Sequence, residues 1–463
     1  RLMVIDRNRN KDSGQVKSWS LIFNNTPSKL EPFVNSNLPL LLINTHNKTI
    51  NDEPRIYANM RAINNSSGVN TLADSSKYFN FNISIEARGS TSQGFPKRPY
   101  GFTTLDKSLV DTNVTLLGFP SEHDWVLNAT YNDKSLMRDV LTYTLARRTG
   151  NYATRCKYLE LFINGKYEGI YVLMEKVKRD KNRVDISKLE PKDSTGVNLT
   201  GGYIIKIDKT TGNNNGGWVD SFPISPGSGT KVYYQYDYPN GPNMVQQQKN
   251  YIRDALYKFE IALSASNYTD KTNGYRKYID VNTFIDYSIM NEISKNVDGY
   301  RLSTYLFKDK DSKDGRFKMG PIWDFNLAWN NADYNNSSDP NGWEIDLSFG
   351  CPFWWKRMRQ DTGFMSQYYC RWNQLRQTTF HLKNLNAFID STYNYLEEAS
   401  YRNFERWPVM GIYIWPNPSP LSYSMKEEVE GLKSWIEKRC VWFDSELAAN
   451  CKSITVCKPR IVA

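Results

Sequence analysis

The sequence predicts an α+β fold in two lobes, an antiparallel-sheet half followed by a mostly helical half. Three observations predict it. Short apolar runs with period-two alternation fill the first half. Two of them flank Asn164-Gly165, a strong hairpin signal. After residue 245 apolar residues recur at helical spacing instead. The 463 residues are 40% hydrophobic and 14% aromatic, enough for a substantial core. No apolar run approaches a membrane span; Leu38 to Ile43 is among the longest.

Residues 1–37 are polar and unpatterned, an N-terminal extension. Residues 38–244 form the expected sheet lobe, 245–450 the helical lobe and 451–463 a tail. Leu38 to Asn47 carries a strand signal, followed by the turn-rich Asn51 to Pro54. Residues 55–63 and 79–87 are strands across a polar loop at 64–78; in the second, Phe79, Phe81, Ile83 and Ile85 share one face. A loop of small residues, 88–95, leads into the strand Tyr100 to Leu105. A helix follows, capped by Asn132 or Asp133. Leu136, Val140, Leu141 and Leu145 form its apolar face, and Gly150 ends it behind Arg147 and Arg148. Tyr158 to Ile163 and Tyr167 to Met174 are the strands about the Asn-Gly turn, and Gly202 to Asp208 is a strand between irregular stretches at 176–200 and 209–230. Val245 to Ser266 and Val281 to Asn296 are helices. Near the end Ser424 and Glu427 make a capping box ahead of Val429, Leu432, Ile436, Phe443 and Leu447 at helical spacing.

The net charge of +10 is dispersed, and no motif of the nucleic-acid-reading kind occurs. The densest basic run, Lys176, Lys178, Arg179, Lys181 and Arg183, suits a solvated face or a site for phosphate or an acidic partner. The six cysteines form no C-x-x-C pair and the three histidines lie far apart, which argues against zinc. Their even number and C-terminal clustering fit disulfides in an exported protein; free buried thiols fit nearly as well. A first residue that is Arg1 and not methionine carries the expectation of a removed leader or a trimmed start.

The chemistry is expected around two aspartates. Leu302 to Phe307 and Phe317 to Trp323 flank the polar turn 309–315, so they pair as a hairpin. Asp298 precedes the first arm and Asp324 follows the second, 26 positions on, which brings both carboxylates to one end. One can take a proton while the other holds a metal. Asp324 lies between Trp323 and Phe325, and a carboxylate in such company needs a partner or an ion. In the loop at 88–95, Gly89 and Gly94 let backbone amides approach an anion, and Ser90, Thr91 and Ser92 add hydroxyls; Lys97 and Arg98 follow to neutralise phosphate. Asp309, Asp311 and Asp314 mimic a calcium loop, but Gly320 stands where the bidentate glutamate belongs, so they are a solvated turn. No G-x-S-x-G elbow supports acyl transfer.

Four motifs in order resemble the spore-coat-protein-H (CotH) kinase family: Arg88 to Tyr100, Glu168-Gly169-Ile170-Tyr171 running into Glu175-Lys176, Asn296-Val297-Asp298, and Ile322-Trp323-Asp324-Phe325-Asn326. The similarity covers roughly 38–450. The resemblance implies an atypical protein-kinase fold that transfers the γ-phosphate of ATP, with magnesium or manganese, to serine hydroxyls of a protein substrate. It implies that Arg88, Gly89, Ser90, Ser92 and Gly94 cover phosphate, with Lys97 as the phosphate-binding lysine. Asp298 is then the catalytic aspartate, Asp324 the metal ligand, and Glu175 a residue near the adenine. Only together with the missing start methionine does the resemblance imply an exported protein, extracellular, at the cell surface or periplasmic. Ser303 stands where a kinase places a metal-binding asparagine, and Asn326 replaces the usual glycine after Asp324-Phe325. Two other readings remain: a non-catalytic kinase-like adhesion protein binding through Trp354-Trp355, Trp407-Pro408 and Trp415-Pro416, or a kinase fold performing adenylylation.

Overall fold

The computed structural model describes residues 33–74 and 79–450; the expected N-terminal extension, save its last residues, and the tail lie outside them. Its architecture is mixed α+β, with two sheets. The strands are β1 (Leu40–Asn44), β2 (Ile56–Ile63), β3 (Phe79–Ala87), β4 (Tyr100–Leu105), β5 (Asp124–Asn128), β6 (Cys156–Ile163), β7 (Lys166–Glu175), β8 (Tyr203–Ile207), β9 (Gly217–Pro223), β10 (Lys231–Tyr238), β11 (Thr304–Lys308) and β12 (Phe317–Met319). The helices are α1 (Arg138–Arg148), α2 (Gly196–Leu199), α3 (Gln246–Ser264), α4 (Val281–Ser294), α5 (Glu344–Leu347), α6 (Trp354–Met358), α7 (Thr362–Arg376), α8 (Leu382–Arg406) and α9 (Met425–Asn450).

The first seven strands close into a barrel in the order β1-β2-β3-β4-β5-β7-β6, antiparallel except where β1 meets β6. Alternation along each strand fills its interior: Leu41 and Ile43, Met60, Ile83 and Ile85, Phe102, Trp125 and Leu127, Leu159 and Leu161, Tyr171 and Leu173. The other residues of β7, Ile170, Val172 and Met174, face the main core with α1. That strand is therefore apolar on both sides, which is why it reads as a continuous hydrophobic run. At the Asn164-Gly165 turn both residues have positive φ, 51° and 76°.

The second sheet has the order β12-β11-β8-β10-β9. It takes strands from both sides of residue 245, the expected hairpin of the mostly helical half joining strands of the sheet-rich half. The expected hairpin forms: β11 pairs β12 from Leu306↔Met319 to Lys308↔Phe317. Three strands carried no sequence signal. β5 is five residues without alternation, and β9 and β10 lie in Gly-, Asn- and Tyr-rich chain that hides their periodicity. Helix α1 begins at Arg138 and not near 133, because Leu136 takes φ 61° and Asp133 spends its carboxylate on Ser135 and the Arg138 side chain and N–H. Helix α4 is buried from Thr283 to Ser294, the mark of a central helix.

The basic run after β7 is divided: Lys176 and Lys181 are exposed, while Lys178 and Arg183 are spent on ion pairs. Lys178 pairs with Glu122 and Asp124, and the fully buried Arg183 with Glu175, Glu122 and Asp180. Glu122, His123 and Asp124 form a compact group of metal-ligand type, but the Lys178 ammonium already sits among them. Cys370 is in a disulfide, Cys156, Cys351 and Cys440 are free thiols, and Cys451 and Cys457 lie outside the described residues. Trp354 and Trp355 are buried and Trp407 is half-buried, which removes them as an open binding surface; Trp415 is 46% exposed. Among the described residues no helix is long and apolar enough to cross a membrane.

Candidate active site

Asp324 follows β12 and a short extended segment. Its N–H donates to Tyr143 Oη at 2.9 Å, and the Phe325 N–H donates to Asp139 Oδ1 at 2.8 Å. Both acceptors stand on α1, so one helix holds the aspartate's backbone from behind. That backbone is in the left-handed region, φ 64°, a strained conformation that the two hydrogen bonds and the stacking of Trp323 on Tyr143 keep in place. Asp298 lies in the turn after α4. Lys295 ends that helix at φ 48° while its ammonium donates to three carbonyls, Asn336, Asp339 and Asn341.

The two aspartates lie near enough for the charge of Asp298 to act on Asp324. Burial, then Asp298, then Asp208 push the Asp324 carboxyl up to about 6, against Arg88 and Lys209. Asp324 is nonetheless exposed to solvent. Asp298 is also raised, by burial first; Arg301 and Lys209 lower it and Asp208 raises it. Asp208, Asp298, Asp324, Arg88 and Lys209 are therefore one cluster. Asp208 leaves the end of β8, whose Ile207 pairs with Thr304 of β11, and its Oδ1 accepts the Ser303 N–H at 3.4 Å. Lys206 stands between Asp208 and Asp237 at 3.8 and 3.6 Å.

The loop at 88–95 reaches this cluster. Arg88 lies over the Trp323 ring at 5.8 Å, and Lys209 Nζ donates to Thr91 Oγ1 at 3.2 Å. Gly89 has φ 100°, and a Cβ there would stand 2.0 Å from Ser92 Oγ, so only glycine fits. Gln93 closes the turn by donating to Gly89 O at 2.7 Å. Ser90 makes no capping bond, and Gly94 faces open space.

Two expected residues are elsewhere. Lys97 is 1% exposed; its Nζ donates to Ile170 O at 2.5 Å and Asn403 Oδ1 at 2.9 Å. Burial holds its ammonium well below the usual range, and the charges that act on it are Glu168 and Arg406, not the aspartates. It braces β7 of the barrel to α8. Glu175 is fully buried in ion pairs with Arg155 and Arg183, so it holds β7 in place and offers nothing to a base. Ser303 reaches the cluster through its N–H, at φ 47°. Asp208, Lys209, Asp139 and Tyr143 were missed. An Asp-Lys pair directly after an apolar strand, and an acid on the apolar face of a helix, were the available signals.

Asp324, Asp208 and Asp298 offer oxygen donors only, the donor type that magnesium and manganese take, and a carboxyl raised by its neighbours gains from a divalent cation; their oxygens do not all lie within 4.8 Å of one another, so the three do not form a closed ligand set. The family model described as CotH kinase protein matches residues 85–443. Inner spore coat protein H of Bacillus subtilis (strain 168) is 23% identical over 247 residues, 53% of this chain and 59% of that protein. The match therefore spans less than two thirds of that relative's length.

Proposed function

The chain belongs to the CotH kinase protein family, and from that premise we propose that it transfers the γ-phosphate of ATP to serine hydroxyls of a protein acceptor. The observation that carries this reading is the convergence of Asp208, Asp298 and Asp324 with Arg88 and Lys209 beneath the 88–95 loop. Phosphoryl transfer asks a protein mainly for positioning and charge neutralisation. A magnesium or manganese ion held by Asp324 and Asp208 would neutralise phosphate oxygens. Arg88 and Lys209 supply further positive charge at the loop. Asp298, partly open at 23% exposure, orients the acceptor hydroxyl and takes its proton. The raised position of Asp298 makes it a better base than an ordinary surface carboxylate. The disulfide at Cys370 and a relative from the spore coat support an exported location.

The test uses ATP labelled separately at the γ- and α-phosphates, with magnesium or manganese. Transfer of γ-label by the native chain, reduced at least about 100-fold in Asp298→Ala and Asp324→Ala, is expected. Transfer of α-label would replace the kinase reading with adenylylation. No label and no nucleotide-induced rise in Tm would leave a binding protein on a kinase-like frame.

A further inference from the structure

Asp298 is not free. Its Oδ1 accepts a hydrogen bond from Arg301 Nη2, while the guanidinium lies 4.6 Å from the ring of Phe349. The Arg301 Nε is buried and has no hydrogen-bond partner. Glu344, the first residue of α5, is 0% exposed, and both of its carboxylate oxygens lack partners as well.

Four charged groups act on Glu344: Glu292, Lys295, Arg439 and Arg301. Three are committed. Lys295 gives its ammonium to three carbonyls. Arg439 donates to the carbonyls of Glu292, Pro340 and Gly342. Glu292 accepts from Tyr300 and from the N–H groups of Glu344 and Ile345. Arg301 keeps a buried donor unused, and its charge reaches a buried acceptor that is also unused. Buried polar groups are nearly always paired, so two complementary orphans in one neighbourhood ask for a second arrangement that joins them.

We propose that the Arg301 guanidinium has two seats, Asp298 and Glu344, and that Glu344 positions it away from Asp298 when that aspartate engages the acceptor. This rests on the proposed role of Asp298. In the first seat the guanidinium occupies a carboxylate oxygen and lowers its basicity; in the second, Asp298 is released. A planar guanidinium stacked on an exposed ring can pivot, because stacking sets its plane more than its direction. Burial, then Glu292, holds Glu344 up to about 8, the state of a carboxyl without a cation; on receiving Arg301 it loses its proton to solvent.

Asp298→Asn keeps the shape of the first seat and removes its charge. A crystal structure of this full-length variant is expected to show Arg301 hydrogen-bonded to Glu344. A guanidinium still at residue 298, or turned to solvent with Glu344 unpartnered, would overturn the two seats. This reading needs no turnover, so it stands apart from the kinase test. In the γ-label assay Glu344→Gln is expected to lower kcat roughly ten- to hundredfold with KM for ATP unchanged. An unchanged kcat would remove the positioning role, and a native chain without transfer would sink the kinase reading while the Asp298→Asn structure still decides the seats.

Discussion

Asp324 carries three statements at once: a left-handed backbone, a carboxyl at about 6, and solvent above it. That its setting is unusual was legible from Trp323 and Phe325 on either side, since a carboxylate between two large aromatics needs a partner or an ion. Its company was not legible. Lys97 and Arg88 bracket the same loop, but Lys97 is buried against β7 and α8 while Arg88 acts on Asp324. Lys97→Met removes the lysine donor from Ile170 O and leaves Asn403 Oδ1 with the Ile170 N–H alone, and is expected to cost about 1–3 kcal/mol by denaturant unfolding, with ATP affinity unchanged. Arg88→Ala is expected to do the reverse, lowering ATP affinity about tenfold with little change in unfolding. An isothermal titration beside a urea melt reads both. A Lys97→Met variant that folds normally and loses nucleotide binding would restore the lysine to the site.

At the element scale, the hairpin β11–β12 was legible because alternation and a polar turn are local signals. What it pairs with was not. β11 adds to β8, and this neighbour delivers Asp208 to the pair of aspartates. Helix α1 fixes the other side through Asp139 and Tyr143, two residues whose value shows only once the chain near 324 is laid against them. The loop at 88–95 is the mobile-looking element whose shape is in fact prescribed. Gly89→Ala puts a methyl on φ 100° and into Ser92 Oγ, a strain of about 1–2 kcal/mol. The loop end is exposed, so Tm is expected to fall by only a few degrees while ATP affinity drops about tenfold as Arg88 and Thr91 shift. Equal losses in Ser92→Ala/Gly89→Ala and Gly89→Ala would show that the clash with Ser92 is not the cause.

Across the whole molecule, the second sheet meets the helices at a buried acid pair. Tyr234 Oη bridges Asp220 and Glu260 at 3.3 and 3.1 Å, and Trp354 Nε1 donates to Glu260 at 2.9 Å. Burial raises both carboxyls, Glu260 well above its usual range, so the folded state holds a proton that the unfolded state releases. Stability from this pair is full below the unfolded pKa and is lost as pH rises through the folded one. Glu260→Gln keeps the acceptor and supplies a permanent N–H. Its Tm is expected to exceed the native value at pH 8 and to converge with it near pH 5, by calorimetry. A constant difference across pH would show that the pair shares no proton. The sequence by itself determined the local grammar: the strands about Asn164-Gly165, the helices after 245, the hairpin between Asp298 and Asp324, and the four motifs that mark the family. Periodicity and turn chemistry are set by neighbours in the chain, so they survive without a fold. The tertiary structure alone decided that the sheet-rich half is a barrel plus a second sheet, that Lys97 is a brace, and that Asp208, Arg88 and Lys209 complete the cluster. Closure of a barrel and the convergence of distant charges depend on long-range pairing and burial, and neither leaves a mark in local sequence.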